Sequence, residues 1–320
     1  MRTYFRIYCF VVAFFLLPYS FGTEKQSLVE RLGYDKDAKL LIVNADDFGM
    51  CHSANRGTFK AFESGGISSA TIMVTCPWFL EAAQWLENHQ QYDVGLHTVL
   101  TSEWGIYKWG PVAGTTEVPS LCTSMGYFPA GIAELYLKGK SEEVETELRA
   151  QIARALRAKI DLTHLDAHMG AAQLHPIYLS IYAKLGNEFQ LPCRMPSREA
   201  LDRELNAGSV LDQFEKLGVI CPDELLRDSA PKVSELESFW KKRLSNLRPG
   251  YVTEVFIHCA DDSAEMKAFT SSHGIRFAET EFFSDHQTVQ WIKDQGIIII
   301  SYRPLRDLQR SEAGKMSMVP

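Results

Sequence analysis

The chain has 320 residues, 46% of them hydrophobic and 23% charged, with a formal net charge of −7. That balance repels phosphate and argues against nucleic acid as a partner, which would need a basic stripe. A chain of this length buries a core without disulfide staples. It opens on Arg2 and Arg6, an apolar run over 7–17, then Pro18 and the small residues Ser20 and Gly22. This pattern reads as a secretory signal peptide over 1–22, too short to span a bilayer, with a retained N-terminal anchor as the competing reading. The expectation is one exported domain over 23–320, periplasmic or extracellular, without stable membrane insertion. Losing Arg2 and Arg6 moves the net charge to −9. Cys51, Cys76, Cys122, Cys193, Cys221 and Cys259 remain, none in a Cys-x-x-Cys pair, which argues against a zinc knuckle and leaves any disulfide pairing open.

Beyond the leader, apolar runs alternate with helical patterns. Strands are expected at 40–44, 69–75, 94–99, 162–166, 193–195, 254–258 and 297–302. A helix over 53–64 stops at Gly65-Gly66. The clearest helix, 141–159, has Ser141 as a candidate cap, acids early, bases late, and Val144, Leu148, Ile152 and Leu156 at four-residue spacing. Another spans 234–247 and is closed by Pro249-Gly250. About seven strand–helix units point to an α/β fold with a barrel-like (β/α) domain, with an open doubly wound sheet as the alternative. No Gly-x-Gly-x-x-Gly follows the first strand and no P-loop occurs, so the usual phosphate cradle of a nucleotide site is missing.

In a barrel, ligands gather where strands end. The first run, Leu40-Leu41-Ile42-Val43-Asn44-Ala45-Asp46-Asp47-Phe48-Gly49, ends on two carboxylates and a glycine turn. Side chains alternate along a strand, so both acids face one way only if the chain leaves the sheet there. The third run ends on His97, behind Gly95. The fourth carries His164, Asp166 and His168 at every second position, on one face of an extended chain, and the sixth ends on His258. We assign Asp47, His97 and His168 as ligands of one divalent ion. Two imidazoles and a carboxylate lean towards zinc without excluding magnesium. His164 and Asp166 are expected behind the ligands, orienting them. His52, His89, His175, His273 and His286 read as surface residues.

Taken together, Asn44-Ala45-Asp46-Asp47-Phe48-Gly49, Gly95-Leu96-His97 and Thr163-His164-Leu165-Asp166-Ala167-His168 resemble the motifs of the YdjC-like carbohydrate deacetylases, which include chito-oligosaccharide deacetylase. The resemblance continues through Glu254-Val255-Phe256-Ile257-His258 to Arg276, Glu279 and Ser301-Tyr302-Arg303. It implies an irregular TIM-type barrel that removes acetyl groups from N-acetylated sugars with a bound divalent metal. Asp47, His97 and His168 match the metal ligands, and Asp46 matches the base. His258 matches a histidine that in the family usually precedes Pro-Gly, whereas here Cys259-Ala260 follows. After His168 this chain has Met169-Gly170-Ala171 where relatives often carry further histidines.

On this reading Asp46 takes a proton from the attacking water, and His258, with a pKa near neutrality, delivers one to the departing amine. Trp104, Trp109 and Arg194 are the substrate-side candidates. The two indoles lie in the long Gly- and Pro-containing segment 101–131, as sugar platforms or as loop packing. Arg194 pairs with Asp46 or makes an ordinary surface ion pair. Two rivals are a glycoside hydrolase and an exported sugar-binding module without catalysis. The first needs carboxylates on opposite sides of the bond, and the second does not need Asp46.

Overall fold

Seven strands pair in parallel: β1 (Lys39–Phe48), β2 (Ser69–Ile72), β3 (Asp93–Thr98), β4 (Leu162–Ala167), β5 (Glu224–Leu226), β6 (Tyr251–His258) and β7 (Ile297–Ile299). These come from a computed structural model that describes residues 26–316. The signal segment read at 1–22 therefore lies outside the described residues. The strand order is β4-β3-β2-β1-β6-β5, and β7 pairs with β1 over Lys39–Leu41. The architecture is an α/β fold with a parallel-stranded half-barrel of six strands. Among the described residues no helix is long and apolar enough to cross a membrane.

The expected ring of about seven strands is not fully formed, because the segment 193–195 makes only a single bridge, Leu165 to Cys193. Pro192 and Pro196 flank it, and a proline has no N–H to extend a ladder. What spans the gap between β4 and β5 is a strip of single hydrogen bonds. Leu165 N donates to Pro192 O at 2.9 Å, Arg194 N to Leu165 O at 3.0 Å, and Cys193 N to Ile220 O at 2.9 Å. Strand β5, three residues long, was not expected from the sequence. A run that short carries too little alternation to register.

Helices cover the outer face of the sheet. The helix Ser141–Arg157 buries Val144, Leu148 and Ile152, but Leu156 is exposed and Ala155 is buried in its place. A stripe of four-residue steps drifts about 40° per step around a helix of 3.6 residues per turn, so its fourth member leaves the buried face. Ser141 is the first helical residue rather than the cap; Lys140 holds the cap position without a side-chain bond. The helix His52–Glu63 is capped by the Cys51 thiol, which accepts from Ala54 N. It packs Phe59 on Trp85 of the helix Phe79–Glu87, with ring centroids 4.4 Å apart. All six cysteines in the described residues are free thiols.

Gly95 shows how closely strands and side chains meet inside the half-barrel. A Cβ there would stand 2.5 Å from His164 Cε1 and Nδ1. The His164 ring is itself stacked on Tyr302, with centroids 3.6 Å apart, so it has no free direction of retreat. Replacing Gly95 by Ala is therefore expected to destabilise the fold by about 1–3 kcal/mol. Denaturant melts of the two proteins check this, and equal midpoints would show that the ring yields without cost.

Candidate metal centre

Strand β1 is buried along nearly its whole length and delivers two acids to its C-terminal end. Its pairing with β2 is irregular between Ala45 and Phe48, and Asp47 takes a left-handed backbone conformation with φ 63°. This local twist lets neighbouring carboxylates both point into the half-barrel without the chain leaving the sheet. For a residue with a Cβ the conformation costs about 1 kcal/mol. Gly49, at φ 87°, completes the turn, and its N–H donates to Asn55 Oδ1 at 2.7 Å.

Asp47, His97 and His168 converge. Asp47 Oδ1 lies 3.4 Å from His97 Nε2 and 3.4 Å from His168 Nδ1, and the two nitrogens are 3.2 Å apart. All three residues are buried. The outer nitrogen of each ring is committed elsewhere. His97 Nδ1 donates to Asp166 Oδ2 at 2.7 Å, and His168 Nε2 donates to Glu103 Oε2 at 3.0 Å. A carboxylate only accepts, so these bonds fix both tautomers and turn the remaining lone pairs inward.

Three acceptors then face one point, and Asp47 Oδ1 is buried without any hydrogen-bond partner. Such a convergence is unfavourable unless a cation or a proton fills it. In the metal-free protein a proton does so. Burial pushes both imidazoles down, but Asp166 and Asp47 raise His97 to about 10, and Asp47 and Glu103 raise His168 to about 9. Three donors sharing a tetrahedral ion at about 2.0–2.1 Å stand roughly 3.3 Å apart. The observed triangle of 3.2, 3.4 and 3.4 Å fits that spacing.

Asp46 is held differently. Arg194 is buried and grips it at two points, Nη1 to Oδ2 and Nη2 to Oδ1, both at 2.8 Å. The same guanidinium donates to Asp166 Oδ2 at 2.6 Å and to Glu254 Oε1 at 2.8 Å from Nε. Arg194 is thus an interior hub rather than a surface ion pair. Burial would raise the Asp166 carboxyl, but Arg194 and His97 hold it well below the usual carboxylate range. Asp166 stands behind His97, accepting from its Nδ1. His164 does not orient a ligand: it lies two residues, about 7 Å, down the strand. There it contacts Tyr302 and Thr163, and desolvation keeps its ring neutral.

His258 pairs in register with Asp46 across β6 and β1, and its Nε2 lies 4.0 Å from Asp47 Oδ2. Its side chain keeps 28% of its surface open, while desolvation and the nearby Arg276 guanidinium push its pKa down to about 4. The ring is therefore neutral at pH 7, which corrects the expectation of a pKa near neutrality. Arg276, the second cause after desolvation, lies on the helix His273–Ser284, and its Nη2 donates to Asp47 Oδ2 at 2.8 Å. Neither that contact nor Glu103 was assigned from sequence. Glu103 is a lone acid in an aperiodic loop, and no spacing ties it to His168.

The segment 101–131 is mostly irregular, and anchored. Glu147 accepts from Val112 N and Ala113 N at 3.0 and 2.9 Å, and Tyr107 OH donates to Met50 O at 2.5 Å. Trp109 is buried and donates from Nε1 to Thr101 O at 2.8 Å, so it packs the loop and offers no face to a sugar. Trp104 is only partly buried, lying edge-on to Trp109 and over Arg276. Trp109→Ala is expected to cost about 3–5 kcal/mol of stability. Trp104→Ala is expected to raise KM for a sugar oligomer several-fold with a far smaller change in Tm; a large fall in Tm without a change in KM would assign Trp104 to packing too.

Residues 40–294 match the family model for YdjC-like proteins. The chain is 31% identical over 265 residues to a carbohydrate deacetylase of Brevibacillus brevis, covering 83% of this chain and 99% of that one. It is 33% identical over 168 residues to a chitooligosaccharide deacetylase of Yersinia enterocolitica, covering 51% and 61% of the two chains. Among solved structures, an Enterococcus faecalis V583 protein provisionally assigned to cellobiose-phosphate cleavage superposes with a TM-score of 0.72 at 26% identity, over 84% of this chain and 99% of that one. By the extent of the family match and the order of its strand-end motifs, the chain belongs to the YdjC-like protein family.

Proposed function

We propose that this protein is a metal-dependent carbohydrate deacetylase that removes N-acetyl groups from amino-sugar oligosaccharides of the chito-oligosaccharide kind. The observation that carries the reading is the unpartnered Asp47 Oδ1 facing two inward imidazole lone pairs, with a second carboxylate, Asp46, beside it. Names borne by relatives, carbohydrate and chitooligosaccharide deacetylase, support the same chemistry. A divalent ion held by Asp47, His97 and His168 supplies Lewis acidity, polarising an acetamide oxygen and making a water more acidic. The two imidazoles and the tetrahedral spacing favour zinc over magnesium.

The remaining work falls to the chain's own groups. Asp46, held by Arg194 with Asn44 Nδ2 donating to its Oδ1 at 2.8 Å, accepts the proton of the attacking water. His258, neutral at rest, cannot begin as the acid. It takes up a proton first, with Asp46 as its neighbour in register, and then hands one to the departing amine nitrogen. Trp104 supplies a partly open indole edge to the substrate side. The hydrogen-bonded strip between β4 and β5 supports an irregular (β/α) barrel for the whole fold. The Arg2-to-Gly22 pattern supports export of a mature chain from about residue 23.

The Enterococcus neighbour's assignment makes glycoside cleavage the reading to test against. That reaction uses two carboxylates across the scissile bond, whereas here one acid faces the imidazoles and its sequence neighbour is gripped by Arg194. The deciding experiment incubates zinc-loaded and chelator-treated protein with N-acetylglucosamine oligomers and measures acetate and new reducing ends. Acetate release that disappears with the chelator and returns with zinc is the expected result. New reducing ends without acetate would establish glycoside cleavage, and binding with neither product a sugar-binding module.

A further inference from the structure

Two neighbouring acids meet two buried arginines here, in two different ways. Arg194 meets Asp46 through both carboxylate oxygens, the usual fork-to-fork pairing. Arg276 meets Asp47 through one bond only, Nη2 to Oδ2 at 2.8 Å. Its Nε and Nη1 are buried without hydrogen-bond partners, and its side chain is only 9% exposed. The guanidinium lies beneath Trp104, with Cζ 5.6 Å from the ring centroid. Leaving two buried donors unpaired is unfavourable. A rotation to two-point pairing would relieve part of that, and it would cover Asp47 Oδ1.

We infer that Arg276 is a positioning residue that restricts Asp47 to a single donor oxygen, holding Oδ2 away from the ion and so keeping a coordination position open for water and substrate. The inference rests on the metal-centre reading above. A carboxylate beside a divalent ion can bind through one oxygen or both, and two-oxygen binding fills a position that a hydrolytic site needs vacant. The left-handed backbone at Asp47 fixes where its carboxylate starts from, and Arg276 fixes how it is turned. One oxygen then remains for the imidazole pair, and the orphaned guanidinium edges are what end-on approach to the other leaves behind. The pairing mode thus distinguishes the acids: Asp46, engaged on both oxygens, is kept from the ion, and Asp47, engaged on one, is offered to it.

The test uses the full-length mature protein loaded with cobalt(II), whose visible absorption is strong in four-coordinate sites and weak in higher coordination. Wild type is expected to bind one cobalt with strong absorption that changes when acetate, the reaction's acid product, takes the open position. Arg276→Met should retain the ion, lose absorption intensity and lose the acetate response, because Oδ2 closes onto the metal. Arg276→Lys, which keeps a donor for Oδ2, should behave as wild type. An unchanged spectrum and acetate response in Arg276→Met, or a Lys variant that matches it, would overturn the inference. Should the Met variant not fold, zinc-loaded wild type decides. One Asp47 oxygen on the ion supports the proposal, and two overturn it. Cobalt binding that survives Asp47→Asn undiminished overturns the metal-centre reading itself, and the two failures are told apart by that control.

Discussion

Asp46→Asn is expected to lower kcat about 10²–10⁴-fold, the range that a positioned general base contributes, while the protein still binds one metal ion per chain. The expectation follows from how the two acids are held. Asp47 Oδ1 faces the imidazoles, so removing the Asp46 charge leaves the ligand triangle in place. An amide at position 46 keeps the shape but can no longer take a proton from water. It also presents an NH₂ to Arg194, which already donates to Asp166 and Glu254 and would lose one of its three carboxylate partners. Removing one partner of a buried ion pair can cost several kcal/mol, so a fall in Tm is expected as well. The measurement is therefore kcat alongside metal content at a temperature where the variant is folded. Wild-type turnover would remove Asp46 from the mechanism, and parallel loss of metal and activity would make it part of the architecture.

Metal binding is expected to release between one and two protons at pH 7. Without metal, His97 and His168 are raised to about 10 and about 9, whereas as ligands both rings must be neutral. The 3.2 Å separation of His97 Nε2 and His168 Nδ1 accommodates one proton between them comfortably; a second would set N–H against N–H. Apparent affinity should therefore climb about 10- to 100-fold per pH unit from pH 6.5 towards pH 9. Calorimetry in buffers of different ionisation enthalpy counts the protons, and a count of zero would mean that the rings are neutral before the ion arrives. The same shifts set the stability of the chelated protein. A raised histidine contributes stability that is complete below its unfolded pKa of about 6.5 and is lost as pH rises through 9–10. The chelated form should thus lose Tm across that window, while the loaded form, whose rings are already neutral, should not lose it from this source.

The site was legible in the sequence where it coincided with strand periodicity. Asp47, His97 and His168 each close an apolar run, and the parallel sheet brings the ends of β1, β3 and β4 together, so a linear pattern became a cluster. Asp166 was legible for the same reason. His164 shares the inward face, but alternation states the side a residue faces and not its depth, and its ring lies a layer below the ligands. Glu103 and the Arg276 contact were invisible because a loop and a helix surface carry them, where no period links a residue to its partner. In the fold, Leu156 failed because a four-residue repeat outruns the helix, and the strand at 193–195 failed because prolines on both sides deny it a ladder.

The anchoring of the segment 101–131 limits where its sequence can change. The bonds from Trp109 to Thr101 and from Glu147 to Val112 and Ala113 close the first dozen residues into a tied-down inner arc, which carries Glu103 and Trp104. Residues 114–131, the outer arc, are tied in as well: Phe128 N donates to Trp109 O at 3.1 Å, Ser102 N to Pro129 O at 2.8 Å and Ser120 N to Glu143 Oε2 at 2.7 Å, and Val118, Leu121 and Phe128 are buried. Because Phe128 and Pro129 return to Trp109 and Ser102, on either side of Glu103 and Trp104, the outer arc braces the inner one, and an insertion or deletion there would be transmitted to the residues beside His168. The two arcs thus stiffen each other, and the room for variation shrinks to the exposed turns at 115–117 and 124–125.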